Sequence, residues 1–376
     1  MRRGPPSVPE QPSTPGPRLA DLTTLRLGGP AGRYVAATTP EELAQAVAAA
    51  DAAGEAVLVV GGGSNLVVAD EGFPGTVVHA TGGGVRVELA AEGSVGGSVD
   101  GSVEVTVAAG EDWDGFVARA VAEGWAGVEA LSGIPGTVGA TPVQNVGAYG
   151  QEVAQTIARV RVWDRTLRGE RTFTGAECRF GYRHSRFKAD RYDAWGSRHV
   201  VLEVTFRFAP PVGGPGEHAA SAPVAYAELA RTLGVEVGQR APLGEVRAAV
   251  LGLRRGKGMV LDAADHDTWS AGSFFTNPFV EPDRVPAGAP SYPQPDGRVK
   301  TSAAWLIEHA GFAKGHGLDR PGARVSLSTK HTLALTNRGG ASTADLLDLA
   351  REVREGVRAA FGIELVNEPV TVGCAL

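Results

Sequence analysis

Between Ala130 and Gly150 the chain reads ALSGIPGTVGATPVQNVGAYG, twenty-one consecutive residues without a charge. Glycine and proline at this density break both long helices and regular strands. The lack of charge argues equally against a solvated linker. What remains is an ordered loop whose backbone comes close to something flat. Gly133, Gly136, Gly139 and Gly147 carry no side chain to hold a partner away, and Pro135 stiffens the turn. Gln144 and Asn145 add amides that both donate and accept. A planar heterocycle with apolar faces and polar edges suits this surface; a buried structural loop is the competing reading.

Upstream, the apolar run Val57–Val60 leads into Gly61-Gly62-Gly63-Ser64-Asn65. Successive glycines let backbone N–H groups converge on a phosphate or pyrophosphate. A Rossmann fingerprint does not fit, because Leu66 stands where the third glycine belongs and no helical pattern follows. A phosphate grip and a ring cradle together are what a flavin dinucleotide needs.

Three further segments carry reactive side chains. Phe180-Gly181-Tyr182-Arg183-His184-Ser185 places an arginine beside aromatics, a pairing that clamps carboxylates bidentately or forms a surface salt bridge. Ala271–Pro278, AGSFFTNP, sets Ser273 between glycine and two phenylalanines that would wall off water. It lacks the flanks of a nucleophile elbow. Glu368, in Leu365-Val366-Asn367-Glu368-Pro369, is a lone carboxylate among apolar neighbours; a solvated turn is the plain alternative.

The 376 residues suffice for two or three compact units. A net charge of −6 argues against a nucleic-acid surface. The two distant cysteines, 178 and 374, have no metal-ligand spacing, so no metal is expected and a reducing compartment is. No apolar run reaches the ~20 residues of a membrane span, and the N-terminus lacks a secretory apolar core, which together predict a cytoplasmic protein. Six prolines between Pro5 and Pro17 predict a disordered tail over residues 1–18.

The pattern predicts a helix from Thr39-Pro40, with a capping-box Glu42, ending at Gly54, and a second from Trp113 to Gly124. The Gly/Ser/Val-rich stretch 82–100 reads as a hairpin with a variable tip. Strands are expected at 160–163 and 200–208, and a flexible boundary loop at Pro210–Ser221. Later helices should precede Arg254, span Ser302–His309, and run from Ser342 to Gly362. The fold class is α+β.

Taken in order, GGGSN, GIPGTVGATPVQNVGAYG, FGYRHSRFK, AGSFFTNP and the C-terminal acidic strand resemble the UDP-N-acetylenolpyruvoylglucosamine reductase (MurB) family, over about Leu19 to Gly373. The resemblance implies a two-part FAD-binding domain of the vanillyl-alcohol-oxidase (PCMH) type at 19–210, divided near residue 80. It also implies a separate α+β substrate-binding domain at 222–376, whose strand around 365–373 returns to the active site. NADPH would reduce non-covalent FAD, which would reduce the enolpyruvyl group of the UDP-sugar to the lactyl ether of UDP-N-acetylmuramate.

By the same resemblance, Arg183 is the catalytic arginine, Ser273 the proton donor and Glu368 the catalytic glutamate. Tyr182, Lys257 and Asn277 bind the nucleotide-sugar, and Tyr226 is the closing-loop tyrosine of the family's first subclass. Gly61–Asn65, Gly133, Pro135, Gly136, Gly139, Gln144, Asn145 and Gly147 bind the cofactor, and a monomer is expected. Two positions depart from the family pattern: Thr23-Thr24, where Asn-Thr is usual, and Pro369 after the catalytic glutamate. The alternatives are an oxidase on the same flavin fold, many of which tether FAD through a histidine near the glycine loop, and a non-catalytic nucleotide-sugar binding module.

Overall fold

The computed structural model describes residues 16–89 and 101–376. Strand β1 (Ala31–Ala37), helix α1 (Pro40–Ala52) and strands β2 (Val57–Val60), β3 (Leu66–Val68) and β4 (Phe73–Ala80) open the chain. Strands β1, β4 and β2 form a parallel sheet in that order, with α1 packed on it. Thr39 caps α1 by accepting from the Glu42 N–H at 3.1 Å, and Pro40 fits the first turn, where no N–H is needed. The Glu42 carboxylate does not complete the expected box on Thr39; it accepts instead from the Thr38 N–H at 2.8 Å.

A five-stranded antiparallel sheet follows. This part of the chain contains β5 (Val85–Leu89), β6 (Val103–Ala108), α2 (Trp113–Glu123), β7 (Gly147–Ala148) and β8 (Gln151–Glu152), which pair only with each other, β9 (Ile157–Asp164), β10 (Gly169–Thr174), the single-turn helix α3 (Arg186–Ala189) and β11 (His199–Phe208). The sheet order is β10-β9-β11-β6-β5. β5 and β6 pair as the expected hairpin, whose tip lies outside the described residues. Strand β11 is central and buried on nearly every residue; from Leu202 to Phe208 it alternates apolar and polar residues, and its buried Glu203 is paired with Arg86 and Arg161. Trp113, Phe116, Phe206 and Phe208 fill the space between α2 and the sheet. Burying each contributes ~1.5–3 kcal/mol.

Helices α4 (Ala227–Leu233) and α5 (Leu243–Gly256) share a core with Ala130 and Tyr149 of the uncharged loop. The last part contains strands β12 (Phe279–Val280), β13 (Ser291–Pro293) and β14 (Val299–Thr301), helix α6 (Ala303–His309), strands β15 (Val325–Leu327) and β16 (Leu335–Asn337), helix α7 (Thr343–Phe361) and strand β17 (Val370–Val372). Ser342 and Asp345 cap α7 reciprocally, and Gly362 at φ 65° ends it. The buried face of α7, with Leu346, Ala350, Val353 and Val357, packs with α6, Phe274 and Phe275, and also with Leu25, Leu27 and Val67 from the first part of the chain. Strand β17 pairs in parallel with β3.

Two sequence expectations need correction here. Order begins before residue 19: Pro17 accepts from the Ala31 N–H at 3.2 Å and Arg18 bridges to Pro30, while the rest of the expected tail, residues 1–15, lies outside the described residues. Pro210–Ser221 is anchored rather than loose. Ala219 is buried with Val121 and Leu243, and Ser221 donates its N–H to Ala241 at 2.8 Å. The anchorage lies at its end, where Ala219 and Ser221 are buried, while residues 210–213 stay exposed.

Candidate active site

The GGGSN loop joins β2 to β3 and presses against the uncharged loop. A Cβ on Gly62 would lie 2.6 Å from the Gly136 Cα, and one on Gly63, at φ 58°, would lie 1.8 Å from the Leu22 carbonyl oxygen. Only glycine permits that approach. Among the described residues the N–H groups of Gly62, Gly63 and Ser64 make no hydrogen bond, so they remain as donors for an anion. A cavity of about 240 Å³ runs from Gly61–Asn65 past Gly139 and Gln144. A second cleft of about 450 Å³ shares Gly61 and Gly62 with it and is lined by Gly133, Pro135 and Gly136. Unpaired amides at one end and a glycine-lined, uncharged wall fit a dinucleotide with a flat ring.

Asn145 and Gly147 line neither space. Asn145 is fully buried, and its amide donates to Glu152 at 2.8 Å and to the Gly181 carbonyl at 3.1 Å. The Gly147 carbonyl accepts from Arg183 Nη2 at 3.2 Å. These two positions hold the loop and the arginine in place.

The FGYRHS segment turns sharply at Arg183, which adopts φ 51°. Its guanidinium Nε stands 2.8 Å from Glu368 Oε1, yet its N–H is not aimed at that oxygen. The contact is therefore a charge pair that leaves donor capacity unspent. Burial pushes the Glu368 carboxyl above the usual carboxylate range, opposed by Arg183 and then Lys188. Gln144 donates to the Glu368 carbonyl at 3.2 Å, joining the pair to the cavity wall.

The AGSFFTNP segment lies alongside. The Glu368 N–H donates to the Phe274 carbonyl at 2.8 Å, and Phe275 bridges antiparallel to Asn367. Ser273 thus sits next to the carboxylate's segment, half-buried, and among the described residues its hydroxyl makes no hydrogen bond. Phe274 and Phe275 behind it are 1% exposed.

Pro369 falls where the chain changes partners. Residues up to Glu368 bond to the Ser273 segment, and Val370 donates to the Asn65 carbonyl at 2.9 Å. A residue with no N–H costs nothing at that step. Thr24 meets the glycine loop through its N–H to Gly63 at 3.3 Å, and its hydroxyl donates to the Ser270 carbonyl at 2.7 Å.

The substrate-side residues separate into two groups. Tyr182 packs edge-on to Phe279, and burial pushes its phenol up while Asn277 hydrogen-bonds it. Asn277 also accepts from the Ala303 N–H at 2.9 Å, so its amide joins Tyr182 to the start of α6. Lys257 pairs with Glu228 at 2.6 Å and lies 5.6 Å from the Tyr149 ring, which meets exposed Tyr226 edge-on. A cleft of about 530 Å³ there is lined by Lys257, Lys314, Lys330 and His331. His331 is held down at about 4 by burial, reinforced by Lys257 and Lys314.

Several wall residues carried no sequence signal. Arg165, Lys188, Trp195 and His199 line the first cavity because β9, α3 and β11 bring them there. A histidine does come near the glycine loop. Strand β4 sets His79 against it, with Nδ1 2.8 Å from the Tyr34 hydroxyl, and burial holds its pKa below the ordinary value. Among the described residues no group of His, Cys, Asp or Glu is placed to hold a metal, and no helix is long and apolar enough to cross a membrane.

These features define a dinucleotide-binding protein, and residues 31–170 match an FAD binding domain. Residues 264–372 match the C-terminal domain of UDP-N-acetylenolpyruvoylglucosamine reductase. Reductases of that name from Cutibacterium acnes and Saccharopolyspora erythraea are each 56% identical to the chain. The first alignment covers 95% of this chain and 90% of the relative, the second 96% of both. The crystal structure of the Thermus caldophilus enzyme aligns with a TM-score of 0.60 at 25% identity, covering 94% of this chain and 97% of that one. The chain belongs to the UDP-N-acetylenolpyruvoylglucosamine reductase (MurB) family, with an FAD-binding domain in an α+β fold.

Proposed function

We propose that this chain reduces UDP-N-acetylglucosamine enolpyruvate to UDP-N-acetylmuramate, a peptidoglycan precursor, with NADPH as reductant. The observation that carries the site assignment is the Arg183–Glu368 pair beside Ser273, joined through Gln144 to a glycine-lined cavity. FAD, when bound, supplies the hydride chemistry. Gly61–Asn65, Gly133, Pro135, Gly136 and Gly139 would hold it, with Asn145 and Gly147 supporting the loop. Non-covalent binding is favoured because the His79 Nδ1 is already held by the Tyr34 hydroxyl.

Arg183 holds the substrate carboxylate and the charge that develops beside it. Glu368 fixes the guanidinium. Ser273 Oγ, with no protein acceptor, delivers the proton, while Phe274 and Phe275 keep water from the site. Lys257, with Lys314 and Lys330, receives the diphosphate, and Tyr226 of the first subclass closes over it. Tyr182, set by Asn277, borders the sugar side. On this reading residues 19–210 hold the cofactor and 222–376 the substrate, with 365–373 returning to the active centre. The reading carries a monomer, and NADPH and UDP-sugars as substrates suit the cytoplasm.

The purified protein should be yellow, and acid should release intact FAD. Anaerobic NADPH should bleach it, and the enolpyruvyl substrate should restore the colour. Colour that returns only on admitting oxygen would point to an oxidase and defeat the assignment.

Tyr226→Phe should weaken turnover of the UDP-sugar and leave bleaching by NADPH normal, because it removes only the hydroxyl of an exposed ring that meets Tyr149, itself beside Lys257. Stopped-flow absorbance resolves the two half-reactions. Equal damage to both would remove Tyr226 from substrate capture.

A further inference from the structure

The cavity flanked by Gly61–Asn65 has several cations in its wall, and most are neutralised or open to solvent. Arg165 is paired with Asp51 at 2.6 Å and Asp193 at 3.3 Å. His199 is buried, kept down by that burial, and 3.1 Å from Asp190. Arg191 is exposed and donates to the Ala194 carbonyl.

Lys188 differs. Its ammonium is half-buried and reaches only neutral oxygens, the Arg183 carbonyl at 3.2 Å and Gln144 Oε1 at 3.4 Å. Glu368, the acid whose field it feels, is already paired with Arg183. Burial holds the ammonium below its ordinary pKa, which marks a poorly solvated charge. Its position is fixed by the fold. Ser185 caps α3, accepting from the Lys188 N–H at 3.3 Å, and donates its hydroxyl to the Val143 carbonyl at 2.6 Å, pinning the turn to the uncharged loop.

We propose that Lys188 sets the reduction potential of the bound FAD, favouring its reduced state. Reduction by hydride brings two electrons and one proton, and NADPH leaves as NADP⁺, so the cofactor gains one negative charge. A fixed, weakly screened cation in the wall favours the more negative state over the oxidised one, and charge near a flavin ring is a recognised means of tuning it. The inference rests on the reading that this cavity holds FAD.

The test compares the wild type with K188M, K188Q and K188R. Affinity for oxidised FAD is measured by titrating apoprotein, and midpoint potential by equilibration with a reference dye. K188M and K188Q should bind oxidised FAD as the wild type does. Their preference for the reduced form should fall at least tenfold, a drop of about 30 mV for a two-electron couple. K188R should stay near the wild-type potential. If K188M does not fold, the contrast between K188Q and K188R decides. Potentials unchanged in K188Q, with FAD bound, overturn the inference and leave the cavity assignment intact. A shift in K188R equal to that in K188Q also overturns it, because charge would then not be the cause. Wild-type protein that binds no FAD sinks the cavity reading itself.

Discussion

Ser273→Ala should bind FAD and be bleached by NADPH at the wild-type rate, yet reoxidise with the enolpyruvyl substrate ~10²–10⁴-fold more slowly, the usual cost of removing a positioned acid. The serine is set beside Glu368 by the bond from the Glu368 N–H to the Phe274 carbonyl, and its own hydroxyl makes no hydrogen bond among the described residues. Removing Oγ therefore breaks no internal bond, and the thermal midpoint should barely move. Ser273→Cys, which keeps a neutral acid of similar reach, should recover part of the rate. Stopped-flow traces of the two half-reactions read both variants. Near-normal reoxidation in the alanine variant would assign proton delivery elsewhere.

Gly62→Val should give a folded but colourless protein that does not oxidise NADPH. Here the obstacle is backbone against backbone. A Cβ at residue 62 would meet the Gly136 Cα at 2.6 Å, and no rotamer can relieve that clash. The two loops must part, which carries an overpacking cost of ~1–3 kcal/mol and spreads the proposed phosphate grip. The ratio of flavin to protein absorbance after purification measures the loss, with far-UV circular dichroism as the control for folding. Full flavin content in this variant would show that the loops can separate without harm to the cofactor.

What could be read from the sequence was local. Thr39-Pro40, Gly124, Ser342 and Gly362 announce helix ends because capping and left-handed backbone depend on one or two residues. The glycine loops were legible for a related reason, since only glycine can let two backbones touch. Side-chain accounts that close across distant elements were not legible. Asn145 and Asn277 look like ligand amides in sequence, but Glu152, Gly181 and Ala303 take up much of their bonding. His79 reaches the glycine loop only because β4 lies beside β2 in the sheet. Lys188 stands five residues beyond Arg183, and its proximity to the Arg183–Glu368 pair follows from the turn between them. The segment 210–221 has the composition of a linker, and its anchorage depends on partners near residues 121 and 243.

Strand β17 pairs Val370 with Leu66, 304 positions earlier, and Glu368 stands two residues before that pairing begins. On the ribosome, the glycine loop and β3 emerge long before the strand that will cover them. Until Val370–Val372 arrive, β3 presents an apolar edge with unsatisfied backbone groups, a template for pairing with another chain. Contacts so far apart in sequence carry a large loop-closure cost and slow folding. Val370 also lines the cavity beside Gly61–Asn65, so the arrival of this one strand closes a sticky edge and completes the pocket wall together.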